Sequence, residues 1–164
     1  MNDLAIIILN WNGHIDTIEC IMSVRKNESK KYTIFILDNN SEFISLSFIE
    51  NWLISNYREN YLILNLNDFN DFPQNSNYDL YFIKNMENSG FAKGNNLVWE
   101  KIKDKYDFVL LLNNDTTIEK NAISGMVDFM KDNFHVGAVS CNIRLYRDKN
   151  ILWNAGGYFT WYGD

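Results

Sequence analysis

The chain has 164 residues, 46% of them hydrophobic and 15% aromatic, and a formal net charge of −6 at neutral pH. That is the length of one domain and apolar enough to bury a sizeable core, which excludes a disordered chain. The acidic balance excludes a nucleic-acid binder that works by neutralising backbone phosphates, but it leaves room for a nucleotide, which needs only a local pocket. Cys20 and Cys141 have neither metal-ligand spacing nor a Cys-x-x-Cys arrangement, and they read as two buried, reduced thiols. His14 and His135 form no pair and read as surface or loop residues. The first residues carry Asp3 rather than a basic region, and no run reaches the length of a membrane span, so a soluble cytoplasmic protein is expected.

Residues 4–9 (Leu-Ala-Ile-Ile-Ile-Leu) form a continuous β-branched run, the pattern of a strand buried on both faces. A polar loop, Asn10-Trp11-Asn12-Gly13, follows. Ile15, Ile18, Ile21 and Met22 then recur at helical spacing and predict a helix to about Val24. Residues 33–37 (Thr-Ile-Phe-Ile-Leu) predict a second strand, ending in Asp38-Asn39-Asn40-Ser41 and completing a βαβ unit. Residues 43–56 place Leu46, Ile49 and Leu53 on one helical face beside Trp52. Residues 61–66 admit either a short strand or a helix end, and the polar stretch after them, interrupted by Pro73, reads as a surface insertion.

Residues 80–83 (Leu-Tyr-Phe-Ile) predict a third firm strand, followed by Asn85, Asn88, Ser89 and Gly90. A helix over 91–103 would face Phe91, Leu97, Val98 and Ile102 inward. Residues 108–112 (Phe-Val-Leu-Leu-Leu) are again continuous and suit a strand in the middle of a parallel sheet, stopping abruptly at Asn113-Asn114-Asp115. Thr116, Thr117 and Glu119 suit the start of a helix that carries Ala122, Ile123, Met126, Val127, Phe129 and Met130. Residues 137–143 read as a further strand and 151–153 as a short last one. Strands alternate with helices throughout, so the fold class is α/β with a mostly parallel sheet.

Four polar clusters therefore lie just past strand ends: at 10–12, 38–41, 88–90 and 113–115. In a parallel sheet these ends share one edge, where open α/β sheets take their ligands. Each cluster alone also makes a plausible turn. An amide-and-carboxylate group such as Asn113-Asn114-Asp115 suits a hard divalent cation, Mg²⁺ or Mn²⁺, whose shell a ligand's phosphates complete.

The order Ile-Leu-Asn-Trp-Asn-Gly, Leu-Asp-Asn-Asn-Ser, Asn-Ser-Gly-Phe-Ala-Lys-Gly-Asn-Asn, Leu-Leu-Asn-Asn-Asp-Thr resembles the inverting family 2 glycosyltransferases of GT-A fold, in particular their rhamnosyltransferase-like branch. The resemblance covers about residues 4–157 and implies a GT-A (Rossmann-like) nucleotide-diphospho-sugar transferase fold. Residues 1–164 would be a single nucleotide-sugar-binding domain, cut before the acceptor half. Asn10 and Trp11 fall where the family's first loop touches the nucleobase, and Asp38 matches the acid that bonds the base or ribose. Asn12, Asn40, Asn88 and Asn114 belong to the same nucleotide-binding loops. Gly90 and Asn95 match the segment lining the nucleotide. Lys93 stands where a basic residue would reach a phosphate, or is a solvated lysine at a helix start.

Asp115 and Asn113 match the metal-binding Asp-x-Asp motif, with Asn113 replacing its first acid. The resemblance further implies a UDP- or dTDP-linked sugar donor and a saccharide or lipid-linked acceptor in cell-surface polysaccharide synthesis. The full-length enzyme would work peripherally at the inner face of the membrane. The family's general base lies in an acidic motif after the Gly-Gly segment. Nothing after Gly157 matches it, so the base is expected beyond Asp164 and the chain by itself is expected to be inactive. Apolar surface left by the missing half favours self-association. Two other readings are a nucleotidyltransferase, whose glycine-rich basic phosphate loop is not found after the first strand, and a non-catalytic α/β nucleotide-binding or interaction module.

Overall fold

The computed structural model describes residues 2–70 and 78–156. Five parallel strands form the main sheet: β1 (Asn2–Asn10), β2 (Thr33–Asn39), β3 (Tyr61–Asn65), β4 (Leu80–Asn85) and β5 (Tyr106–Asn113), in the spatial order β3-β4-β2-β1-β5. The helices are α1 (His14–Asn27), α2 (Phe43–Asn56), the short α3 (Leu66–Asn70), α4 (Gly90–Ile102) and α5 (Ala122–Asp132). A small antiparallel pair, β6 (Ile143–Arg144) and β7 (Leu152–Asn154), completes the described elements.

The continuous apolar runs become the centre of the sheet. Alternate residues of β1 and β2 feed two cores. Leu4, Ile6, Ile8, Ile34 and Ile36 pack with Ile18, Ile21, Ile49, Leu53, Ile123 and Val127 of α1, α2 and α5. Ala5, Ile7, Phe35 and Leu37 face the other way, onto Val98 and Ile102 of α4 and Phe69 of α3. Each fully buried Ile or Leu contributes about 1.5–3 kcal/mol. Phe35 and Tyr81 stack across the β2–β4 register with ring centroids 4.8 Å apart.

Residues 61–66, open from the sequence, resolve into β3 running directly into α3. Pro73, Gly157 and Asp164 lie outside the described residues. Five expectations are corrected. The 108–112 run is not central among the described residues: there β5 is an outermost strand paired with β1, none of its residues is fully buried, and Leu111 is 51% exposed. The 137–143 stretch forms no strand except Ile143, since no neighbour among the described residues completes its hydrogen bonds. Phe91 and Ile15 point to solvent, since α4 turns Gly94 and Asn95 inward and α1 buries Thr17 and Cys20 instead. Cys141 is exposed while Cys20 is buried.

The fifth correction is that α5 starts at Ala122 rather than near Thr116. Its capping residue, Asn121, is left-handed at φ 59° and makes no side-chain cap bond. The cap comes from α1's end instead. Glu28 accepts the N–H groups of Ile123 (2.7 Å) and Ser124 (3.2 Å), placing a carboxylate at the positive end of the helix dipole. Ser23 accepts the Ile118 N–H, and the Asn27 amide donates to the Ile118 carbonyl. These bonds fix the turn that carries Asp115 against α1.

Candidate active site at the strand-end edge

All five strands run the same way, so their carboxyl ends line one edge. Asn10 sits beside Asp38, Leu9 beside Asn113, and Asn39 beside Asn85. The ends of β5 and β4 are three strand steps apart, about 14 Å at the usual spacing.

Beneath the rim between β1 and β2 lies a closed polar network. The Asn10 amide donates to Asp38 Oδ1 (2.7 Å) and Ser41 Oγ (3.1 Å), and Thr17 Oγ1 donates to Asn10 Oδ1 (2.8 Å). Asp38 Oδ2 accepts the Ser41 N–H at 3.0 Å. Asn10 is 0% and Asp38 1% exposed, so the hydrogen-bonding capacity of both is turned into the protein. Above them, Asn12 and Asn40 take left-handed conformations (φ 56° and 62°), which Asn tolerates better than most residues. The Ser41 hydroxyl accepts the Asn12 N–H, and Asn12 Oδ1 accepts the Glu42 N–H, stitching the two loops together. Trp11, 61% exposed, stands on this platform.

A second network joins β2 to the start of α4. Asn39 Nδ2 donates to Asn88 Oδ1 (2.9 Å) and Asn39 Oδ1 accepts the Ser89 N–H (2.9 Å), while Asn88 Oδ1 also takes the Gly90 N–H. Gly90 has φ +70°, which explains the glycine. Lys93 pairs with Glu87 at 2.5 Å on the surface, and that hydrogen bond holds the Glu87 carboxyl below its ordinary range. Asn95 is buried and donates to Phe91 O within its own helix.

On the other side of β1, the Asn114 amide turns back to donate to Thr17 Oγ1 (3.1 Å) and Gly13 O (3.4 Å). A Cβ on Gly13 would lie 2.5 Å from Asn114 Nδ2, so any larger residue here would have to displace the Asn114 amide. Asn113 and Asp115 are exposed. Asp115, Thr116 and Thr117 form, with Asp16, Glu19 and Tyr146, a small cleft of about 90 Å³. Tyr146 donates to Glu19 at 2.5 Å, which raises the phenol's pKa. Directly behind, the Cys20 thiol faces the Asn113 carbonyl, and burial pushes it up to about 12.

The donor set is compatible with a hard cation: the Asp115 carboxylate is exposed, with the Asn113 amide two residues away and the Asp16 and Glu19 carboxylates lining the same cleft. Among the described residues no group of three or more His, Cys, Asp or Glu is placed to hold an ion by itself. A cation bound here would need further ligands to complete its shell.

Of the residues expected at the site, Trp11, Asn12, Asn40, Asn113 and Asp115 share the open rim around β2, β1 and β5. Asn88, Gly90 and Lys93 lie further along, past β4. Asn10, Asp38, Asn95 and Asn114 are turned into the scaffold. Asn39 and Ser41 lie within the 38–41 cluster and Gly13 within the first loop, but without a role of their own, and Thr17 was missed. Thr17 was legible in principle, being one helical turn after Gly13 and hence on the face towards Asn10.

A parallel α/β sheet with its polar loops at one edge is an arrangement in which open α/β folds take their ligands. Residues 5–162 match the family described as glycosyl transferase family 2, and the chain belongs to that family. Its sheet and flanking helices are those of the GT-A fold. An uncharacterized protein of Haemophilus influenzae is 26% identical over 154 residues, covering 92% of this chain and 71% of that protein. The crystal structure of Staphylococcus aureus TarS 1-349 in complex with UDP superimposes with a TM-score of 0.57 at 16% identity, covering 89% of this chain and 40% of TarS 1-349. The same fragment in complex with UDP-GlcNAc gives 0.55 at 16% identity, covering 89% and 38%. The chain thus spans about 40% of the solved TarS fragment it resembles.

Proposed function

We propose that this chain is the donor-binding half of an inverting glycosyltransferase, which moves a sugar from a nucleotide diphosphate to a hydroxyl of a saccharide or lipid-linked acceptor. The observation that carries this reading is the shared rim, with exposed Trp11 and exposed Asp115 on the loops after two adjacent strands, β1 and β5. Family membership and the UDP complexes of TarS favour UDP as the nucleotide; a dTDP-linked deoxysugar is the alternative that the rhamnosyltransferase-like motifs suggest.

Trp11 offers an aromatic face to the base. Asn12 and Asn40 flank it, and Asp38 acts as a positioning group by holding Asn10 and Ser41 under the platform. Asp115, with the Asn113 amide, would hold Mg²⁺ or Mn²⁺ against the diphosphate. When bound, that ion stabilises the charge developing on the nucleoside diphosphate leaving group. Lys93 is paired to Glu87 and serves the rim's far side.

The setting is cell-surface polysaccharide synthesis at the cytoplasmic face of a membrane. No helix among the described residues is long and apolar enough to cross one, which is compatible with peripheral attachment.

The test is a thermal shift with UDP, dTDP and Mn²⁺, alone and together. Stabilisation by nucleotide that needs the metal and vanishes in Asp115→Ala supports the reading. No shift with any nucleoside diphosphate, with or without metal, overturns it in favour of a non-catalytic module.

A further inference from the structure

One side of α1 holds the turn that follows β5. Thr17, Cys20, Ser23 and Asn27 recur at helical spacing, and each bonds the segment from Asn113 to Ile118. Thr17 also reaches the end of β1. Its hydroxyl donates to Asn10 Oδ1 at 2.8 Å and accepts the Asn114 amide at 3.1 Å, so it bonds both sides of the rim at once.

The direction of these bonds is set at their buried end. A carboxylate only accepts, so Asn10 turns its NH₂ group to Asp38 and keeps its carbonyl oxygen for Thr17. The Thr17 proton is thereby committed to Asn10, and its lone pairs are left for a donor, which Asn114 supplies. Asn10, Thr17 and Asp38 are all buried. With the Asn114 amide held inward, its neighbours Asn113 and Asp115 are the exposed members of the turn.

We propose that Thr17 is a positioning residue of the donor site, tying the turn that carries Asn113 and Asp115 to the loop that carries Trp11. A nucleoside diphosphate would then meet its base platform and its cation at a fixed separation. The inference rests on the donor-site reading, and Thr17 acts through Asn114 rather than on the ligand. Without the hydroxyl, Asn114 keeps only its longer, 3.4 Å bond to the Gly13 carbonyl. The Trp11 loop keeps its bonds to Ser41 and Glu42. The loss therefore falls on the metal-dependent part of binding.

Calorimetry of UDP binding with and without Mn²⁺ tests this, the ratio of the two affinities being the gain that the metal brings. Thr17→Val is expected to bind UDP alone much as the wild type does and to lose about tenfold of the gain, the usual cost of removing a bond that supports a metal ligand. Thr17→Ser is expected to restore it. A role in stability alone would lower the melting temperature and leave the ratio unchanged. Asn114→Ala is expected to share the loss, and the double variant to lose no more than either single one. A Thr17→Val chain that keeps the full gain, that loses affinity equally in both conditions, or whose loss adds to that of Asn114→Ala overturns the inference. Should Thr17→Val not fold, the wild-type Asn114 side-chain amide signal and Asn114→Ala decide. A slowly exchanging amide together with a reduced gain supports the proposal, and a fast-exchanging amide or an undiminished gain overturns it. A wild-type chain whose UDP affinity does not rise with Mn²⁺ fails the donor-site reading itself, whereas a wild-type gain that survives both substitutions fails this inference alone.

Discussion

Asn10 and Asp38, 28 residues apart, meet at 2.7 Å with almost no surface exposed, and each completes the other's hydrogen bonding. The pair locks the ends of β1 and β2 together beneath the rim. Asn10→Ala strips the buried Asp38 carboxylate of its shortest partner, a loss of about 2–4 kcal/mol for a hydrogen-bonded buried charge. The expected outcome is a melting temperature lowered by roughly 5–15 °C. A variant that melts like the wild type and only loses nucleotide affinity would instead make Asn10 a ligand contact.

Glu28 is the cap that α5 lacks locally. Glu28→Ala leaves the Ile123 and Ser124 N–H groups without their acceptor and is expected to cost about 1–2 kcal/mol in urea unfolding. Glu28→Gln keeps an acceptor and is expected to lose less. Faster amide exchange confined to the first turn of α5 and the adjoining Ile118 turn checks that the loss is local, because the same α1 end holds both.

What the sequence disclosed, and what it hid, follows from how local each cause is. The runs at 4–8 and 33–37 are buried on both faces, and continuous β-branched sequence records that directly. The run at 108–112 is written the same way yet lies at an edge of the described strands, because position in a sheet is set by which neighbours exist, not by the strand's own residues. The stretch at 137–143 has strand-like residues and no partner among the described residues, so its propensity goes unused. At the rim, Asn and Asp at strand ends correctly marked the edge. Their division into exposed Asn12 and Asn40 and buried Asn10 and Asp38 depends on contacts about thirty residues apart that no local motif encodes. The Glu28 cap, reaching 95 residues along the chain, was equally out of sight.

Cys20 and Cys141 are expected to differ sharply in reactivity. Burial first, with the nearby Asp115 charge adding to it, pushes the Cys20 thiol from 9.0 to about 12. Native labelling near neutral pH should therefore modify Cys141 alone, read by mass spectrometry. The folded protein also holds the Cys20 proton more tightly than the unfolded chain does. Its stabilising contribution is complete below pH 9 and is lost as pH rises towards 12. Tyr57, raised by burial from 10.0 to about 12 despite Arg25 beside it, acts in the same direction. The melting temperature should fall across this alkaline window, and Cys20→Ala should flatten part of the fall. A stability profile level from pH 9 to 12 would contradict both assignments.

Trp11 and Gly13 separate binding from scaffolding within one loop. Trp11 makes an exposed platform, so Trp11→Ala should leave the melting temperature of the free chain unchanged. It should weaken UDP binding about tenfold, the loss of roughly 1–2 kcal/mol of base stacking. Gly13→Ala puts a methyl 2.5 Å from the Asn114 amide and must displace it from Thr17. That shift moves the turn carrying Asn113 and Asp115, so the expected loss is in the metal-dependent part of the nucleotide shift, together with a modest drop in stability. Titrating UDP with and without Mn²⁺ distinguishes the two. Trp11→Ala lowers affinity in both conditions, whereas Gly13→Ala narrows the gap between them. Identical behaviour of the two variants would mean that base and diphosphate are not read by separate ends of this loop.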